Sequence, residues 1–490
     1  MSRHFPTIDF RANARRVAPA VPAAVQRATM RFLANRAAVV QEMGQARWED
    51  LRRAAHDLRL HTVEHLDYYL ARAEAQILAA GGAVHWARDA AEARRIVLSI
   101  AQQHGARCVV KAKSMATEEI GLNHALEAAG IEVLETDLGE YLVQLAGQGP
   151  SHIIVPAVHM TKEGIASLFR QRLGVDAPAE PQALAGIARS RLREAFLSAE
   201  VGITGANFLV AETGTLVIVT NEGNGRMCTT LPPVHVAVVG IEKVVPDWES
   251  LTVLLKVLAR SATGQKLSCY TSFITGPRRD PAEHGPRQLH VVVLDNGRTR
   301  ILRDARARET LLCVRCGSCL NVCPVYNHVG GHAYGWVYSG PIGAILTPQL
   351  LGTAVAGSLP FASTLCGACS EICPVKIPIH EILLHLRRRA MEGDEMDPPV
   401  ASGLIRAGAK VSAWFLRSPW LYAAAAHLAG MMQRPLWRDG WLHWLPPPLG
   451  RWTLVRPFPT FQGDFRSWWR RRRGGRIAAR PPRNGTGRDD

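Results

Sequence analysis

Along the first eighty residues apolar positions recur at helical spacing, with a long candidate helix from Trp48 to Ala79 that stops at Gly81-Gly82. There the pattern changes. Short apolar runs alternate with helix-length stretches: a strand over Ala83–Ala87, another over Cys108–Ala112, a helix over Thr117–Ala129, a strand over Ile131–Leu134, a helix over Glu140–Ala146 and a strand over His152–Ala157. Further strands fit Ala206–Ala211, Thr215–Thr220, His235–Val239 and Leu289–Leu294. Strands alternating with helices of this length predict βαβ units and a parallel sheet. Past residue 300 the helical period returns. Ile379, Ile382, Leu383 and Leu386 fall at i, i+3, i+4 and i+7 of a helix over Pro378–Met391. Arg387, Arg388 and Arg389 crowd its last turn, where cations suit the helix dipole.

Cysteine spacing adds the chemistry. Seven of the ten cysteines form two runs, Cys313-x2-Cys316-x2-Cys319-x3-Cys323-Pro324 and Cys366-x2-Cys369-x3-Cys373-Pro374. In two-cluster ferredoxins the last cysteine of such a run, followed by proline, ligates the other cluster. Structural zinc favours paired C-x2-4-C knuckles with four ligands each, which this pattern does not match. The runs therefore predict two iron–sulfur clusters with exchanged ligands: Cys313, Cys316, Cys319 and Cys373 for the first, and Cys323, Cys366 and Cys369 for the second. The second set is one thiolate short. Ser363 stands where a complete run would place its first cysteine, and His332, after Gly330-Gly331, is another candidate. A non-cysteine ligand, an exchangeable iron and a three-iron [3Fe–4S] cluster all fit. The runs are separated by 42 residues, 324–365, too long for a compact β-type ferredoxin, so a helical ferredoxin module is expected.

Two loops of the α/β region are motif-like: Ala211-Glu-Thr-Gly-Thr215 and Thr220-Asn-Glu-Gly-Asn-Gly-Arg226. Gly and Asn adopt positive φ at little cost, so a hairpin with sharp turns accounts for them. The functional counterpart is a small-molecule loop with Arg226 as anion partner and Glu212 or Glu222 as carboxylates. Lys111, Lys113 and Ser114, at a strand's C-terminal end, form a second anion-site candidate. Neither a GxGxxG nor a Walker loop occurs, so nothing points to a nucleotide.

At 490 residues, with 47% apolar and 20% charged, the chain has room for two or three globular domains. No apolar run of 18 residues occurs, which predicts no transmembrane helix. Residues 10–41, Arg- and Ala-rich without acids, resemble a transit peptide less than an N-terminal helix, because the pattern runs on to Arg72. The formal charge of +16 is uneven: residues 464–490 hold nine Arg against three Asp in a Gly/Pro/Arg tail expected to be disordered. Trp468 and Trp469 before Arg470–Arg473 suit a membrane interface better than a base-reading surface, and no nucleic-acid-binding signature appears. Trp414, Trp420, Trp437, Trp441 and Trp444 suit the 406–469 region either to a partner or membrane-surface contact or to packing against the ferredoxin module. Cys108, Cys228 and Cys269 are expected as free buried thiols. Clusters and free thiols together imply a reducing compartment, hence the cytoplasm, and the basic tail allows peripheral contact at the inner membrane face.

The arrangement resembles the lactate utilization protein B family. The residues that carry the resemblance are Ala211–Arg226, the stretch Cys313–Ala344 with Gly330-Gly331-His332 and Ser339-Gly-Pro-Ile-Gly-Ala344, and Cys366–Glu381. The resemblance implies an α/β LUD domain with a NagB/CoA-transferase-like parallel sheet over 1–300, N-terminal helices included. It implies an α-helical ferredoxin domain with two [4Fe–4S] clusters over 301–392 and a Trp-rich C-terminal extension over 393–465, leaving a basic tail over 466–490. It also implies electron transfer in the oxidation of L-lactate to pyruvate, in a complex with companion lactate-utilization proteins. The residues alone leave rivals open. The same module suits a glycolate or glycerol phosphate dehydrogenase, an isomerase or CoA-transferase-like enzyme with regulatory clusters, and a basic nucleic-acid-binding redox sensor.

Overall fold

The computed structural model describes residues 6–446, 450–453, 456–460, 469 and 472. They fall into two compact units divided after Val400. In the first unit the N-terminal helices span Phe10–Arg15, Ala20–Met43, Gln45–Glu64 and Leu66–Ala79. The expected helix over Trp48–Ala79 is thus two, broken at His65, which leaves helical geometry at φ −121°, ψ 36°.

Ten strands follow: β1 Ala83–Ala87, β2 Cys108–Lys111, β3 Glu132–Glu135, β4 Val201–Gly205, β5 Phe208–Val210, β6 Thr215–Thr220, β7 Val234–Gly240, β8 Val244–Val245, β9 Tyr270–Ile274 and β10 Gln288–Leu294. Six make one sheet in the order β1-β10-β7-β4-β2-β3, and every pairing in it is parallel. A parallel sheet covered on both faces reads as continuous apolar runs. In β7, Val234–Gly240, every residue is buried. Helix Ala90–Gln103 packs on the sheet through Val97 and Ile100, and helix Pro181–Ser198 meets β2 through Ala195 while its Leu184 and Leu192 bury against Tyr141 and Phe169. The remaining strands form a smaller sheet in the order β8-β5-β6-β9. The β5–β6 hairpin there is the one expected around Ala211–Thr215. Its turn residue Gly214 has φ +67°, and a Cβ on it would meet the Ile77 backbone nitrogen at 2.6 Å, so only glycine fits.

Three details differ from the sequence reading. The helix expected over Thr117–Ala129 is two short ones, Met115–Glu119 and Leu122–Glu127, interrupted at left-handed Gly121. Strands β4, β8 and β9 lay outside the expected set. The strand expected over His152–Ala157 is instead a chain of bends and turns. Ile153 is buried, but the backbone joins no sheet, and His152 turns inward to a partner described below.

Residues 301–392 are helical, as the separation of the two cysteine runs implied, and share one apolar core with the N-terminal helices and the smaller sheet. Helix Ile379–Glu392 sits where the periodicity placed it, burying Ile379, Ile382, Leu383 and Leu386. Each such side chain contributes roughly 1.5–3 kcal/mol on burial.

In the second unit helices Gly403–Arg417 and Pro419–Met432 precede a small antiparallel sheet of Trp437–Arg438, Trp441–Leu442 and Phe458–Pro459. Neither helix buries a residue within the chain. Trp414 and Trp420 are 67% and 74% exposed. Of the basic tail over 466–490 only residues 469 and 472 are described, and the expectations for Trp468 and for disorder lie outside the described residues. Among the described residues no helix is long and apolar enough to cross a membrane.

Candidate iron–sulfur centre

The two cysteine runs fold as a local repeat. Each opens with a non-glycine residue in the left-handed region, Arg315 at φ +60° and Leu365 at φ +56°. One residue further on in each comes a cysteine, followed by a left-handed glycine, Gly317 at +75° and Gly367 at +81°. Each then makes one short helix, Ser318–Val322 or Ala368–Ile372, and the next cysteine caps it in extended conformation. Proline follows both times, so the chain turns away at once. The two short helices pack against each other.

This pairing crosses the runs. Cys313, Cys316, Cys319 and Cys373 line one small cavity with Val314, Gly317, Ile342 and Ile377. Burial pushes the Cys373 thiol up to about 12, and Cys316 and Cys313 add to the rise. Cys369, raised by burial to about 11, instead feels Cys323 and Cys366. The structure thus places Cys373 among the first run and Cys323 among the second. Backbone N–H groups point at the sulfurs: Arg315 donates to Cys313 Sγ at 3.4 Å, Ile377 to Cys373 Sγ at 3.4 Å and Tyr326 to Cys323 Sγ at 3.5 Å. Such bonds tune cluster potentials. Four sulfurs around one apolar-walled space with amide donors suit a thiolate-held cluster, and among the described residues no group of His, Cys, Asp and Glu gathers tightly enough to hold a single ion. The second group is more open, with Cys366 exposed.

The other candidates separate. His332 gives its Nε2 to the Gly149 carbonyl at 2.9 Å and packs edge-on against His159. Lys111 is buried in ion pairs with Glu118 at 2.8 Å and Glu135 at 2.7 Å. The partners pull apart, because burial and Glu118 raise the Glu135 carboxyl to about 7 while Lys111 is held above its usual value against burial. We read Lys111 and Glu118 as charged and Glu135 as the group that titrates, since one ammonium serves both carboxylates. Glu212 accepts a bond from the Trp248 backbone at 3.4 Å, and Arg226 is exposed. Of the lone thiols, Cys228 is buried as expected, whereas Cys108 is half-buried and Cys269 exposed, because it sits in a polar loop before β9.

Lys113, Ser114 and Glu222 do line a common cavity of about 480 Å³ beyond the carboxyl ends of β2, β4 and β7, where open α/β sheets bind ligands. Lys243, Arg298 and Arg315 share that lining and were not anticipated. Their signal was faint: Lys243 follows an apolar strand by three residues, and Arg315 lies inside the first cysteine run. Arg298 is buried between Glu119, at 2.8 and 3.0 Å, and Glu242, at 2.5 Å. Burial alone would raise the Glu242 carboxyl, but Arg298, Lys243 and Arg315 outweigh it and hold it near 2. Arg315 completes the link, its guanidinium 4.8 Å above the Tyr338 ring and 3.5 Å from Glu242. Lys243 is half-buried in the same wall, and burial and Arg315 draw its ammonium down. The turn at 151–154 clamps the module from the other side. His152 Nε2 meets Asn321 Oδ1 at 3.1 Å, and Tyr326 Oη donates to the Ser151 carbonyl at 2.8 Å. A Cβ on Gly331 would strike that carbonyl at 1.8 Å, which accounts for the Gly330-Gly331 pair. Arg52 ties the second run to the N-terminal helices, donating to the Cys373 and Glu371 carbonyls at 2.6 Å each.

A parallel α/β sheet joined to a helical module with two interleaved cysteine runs defines an iron–sulfur protein of the dicluster type. Residues 70–294 match the LUD domain and residues 309–377 the 4Fe-4S dicluster domain. Lactate utilization protein B of Shouchella clausii is 45% identical over 451 residues, covering 92% of this chain and 93% of that one. The protein of the same name from Macrococcus caseolyticus is 46% identical, covering 87% and 89%. An uncharacterized electron transport protein of Escherichia coli, YkgF, is 42% identical over 92% of this chain and 94% of its own length. The chain belongs to the lactate utilization protein B family. Among solved structures, a DUF162 family protein of Deinococcus radiodurans matches 47% of this chain and 98% of its own at 17% identity with a TM-score of 0.27.

Proposed function

We propose that this protein carries single electrons through two [4Fe–4S] clusters during oxidation of L-lactate to pyruvate, acting with companion lactate-utilization proteins in the cytoplasm. The observation that carries the reading is the interleaving of the cysteine runs, with Cys373 among Cys313, Cys316 and Cys319, and Cys323 beside Cys366 and Cys369. Iron–sulfur clusters supply one-electron chemistry; the chain positions them, shields the first in an apolar wall and sets its potential through amide donors and Arg315. The lactate assignment rests on the names of the relatives, and no residue in this chain is assigned to that substrate. The expected division into an α/β domain to residue 300, a ferredoxin module to 392, a Trp-rich extension to 465 and a tail belongs to this reading, as does a NagB/CoA-transferase-like origin of the sheet. The exposed Trp414 and Trp420, with Arg406, Lys410 and Arg417 nearby, fit a partner or a peripheral membrane contact at the inner face. A deletion strain complemented with Cys313→Ser should grow on pyruvate and fail on L-lactate. Normal growth on L-lactate removes the electron-carrier reading.

A second reading concerns the 480 Å³ cavity. Its Lys243–Arg315 wall suits a small organic anion, which gives the α/β domain a ligand of its own, as the isomerase or CoA-transferase alternative requires. Calorimetric titration of the holoprotein with sodium pyruvate tests it: saturable binding lost in Lys243→Gln supports the site, and absence of binding removes it.

A further inference from the structure

The repeat fixes what stands in for the missing eighth cysteine. Laid on one another, the runs pair Cys316 with Cys366, Gly317 with Gly367, Cys319 with Cys369 and Cys323 with Cys373, which pairs Cys313 with Ser363. The backbone agrees at both left-handed positions: Arg315 against Leu365, and Gly317 against Gly367. The side-chain atoms agree as well. Cys313 Sγ accepts the Arg315 backbone N–H at 3.4 Å, and Ser363 Oγ accepts the Leu365 backbone N–H at 3.1 Å. A left-handed leucine is uncommon and costs energy, and Leu365 pays that cost to give Ser363 the loop form that Arg315 gives Cys313. Arg387 holds the loop in place, donating to the Pro360 carbonyl at 2.8 Å and to the Ser363 carbonyl at 3.0 Å. His332, the other candidate, is engaged with Gly149.

From this correspondence we infer that Ser363 Oγ is the fourth protein ligand of the second cluster. The inference rests on the two-cluster reading above. Binding iron requires the hydroxyl to release its proton, which passes to solvent beside the exposed Cys366. An oxygen ligand among three thiolates makes that iron the one lost on oxidation. One-electron oxidation by ferricyanide takes a [4Fe–4S]²⁺ cluster to the 3+ level, which sheds Fe²⁺ and leaves [3Fe–4S]⁺.

The test compares the anaerobically reconstituted full-length protein with Ser363→Cys and Ser363→Ala under stoichiometric ferricyanide, by iron analysis and electron paramagnetic resonance. Wild type should develop a three-iron signal with loss of about one iron of about eight. Ser363→Cys should develop none, and Ser363→Ala should develop it roughly tenfold faster, as loss of one charge-assisted contact implies. Identical rates in wild type and Ser363→Ala overturn the assignment. A three-iron signal persisting in Ser363→Cys overturns it too. Thermal melting of each variant separates misfolding from ligand loss. A wild type that takes up only about four irons defeats the two-cluster reading instead, whereas about eight irons with identical rates defeats only the serine.

Discussion

Replacing Glu119 with glutamine probes the link between the α/β sheet and the first cysteine run. The Glu119 carboxylate is fully buried and accepts four hydrogen bonds: Asn296 Nδ2 at 2.6 Å, Arg298 Nη1 at 2.8 Å, Arg298 Nη2 at 3.0 Å and Tyr338 Oη at 2.7 Å. Glutamine keeps the shape but turns an NH2 group toward two of those donors and removes one of the two carboxylate charges that compensate Arg298. Breaking a buried ion pair from one side costs about 3–5 kcal/mol. Unfolding entropy of about 2.1 cal/mol/K per residue, applied to the unit ending at Val400, converts this to a drop of ~4–6 °C in Tm. Because Tyr338 lies beneath Arg315, the same change should alter the resonance signal of the first cluster and spare the second. Calorimetry and electron paramagnetic resonance on the reconstituted variant read both effects. A Tm within 1 °C of wild type, or equal perturbation of both clusters, refutes the reasoning.

Two further outcomes follow from charge. Arg315→Gln removes a cation whose charge the Cys313 sulfur sustains against burial. The first cluster's potential should fall by roughly 50–150 mV, since a close unit charge is worth about 1–4 kcal/mol at effective dielectrics between 80 and 20; a potentiometric titration showing no fall contradicts this. Glu140 is buried with one carboxylate oxygen unpartnered, and burial, then Glu135, pushes its carboxyl from 4.5 up to about 8. A raised carboxyl contributes stability that is complete below the unfolded value and lost as pH rises through the folded one. Wild type should therefore lose stability between about pH 4.5 and about pH 8, and Glu140→Gln should flatten that slope in thermal melts.

The cysteine spacing carried most of what was legible beforehand, because ligand position in these loops is set by local backbone geometry and local geometry is written in short sequence. The parallel sheet was legible for the same reason in β2, β7 and β10, whose apolar runs are buried on both faces. β4 was hidden because Val-Gly-Ile-Thr-Gly carries two glycines that weaken its strand signal, although a Cβ at Gly202 would strike the Cys228 carbonyl. His152–Ala157 reads as a strand by composition, but its residues are apolar to pack against the cluster helix, a long-range reason that no window reveals. The buried chain Glu119–Arg298–Glu242–Arg315 draws its members from positions 119, 298, 242 and 315, and nothing in the sequence around any one of them announces the others.

Cross-ligation is the central claim, and Cys373→Ser tests it most directly. In the reconstituted full-length protein, with the two clusters resolved by electron paramagnetic resonance, this variant should lose the same signal as Cys313→Ser and keep the signal that Cys366→Ser removes. Loss of the Cys366 signal instead, with the Cys313 signal intact, would place Cys373 with its own run and contradict the account.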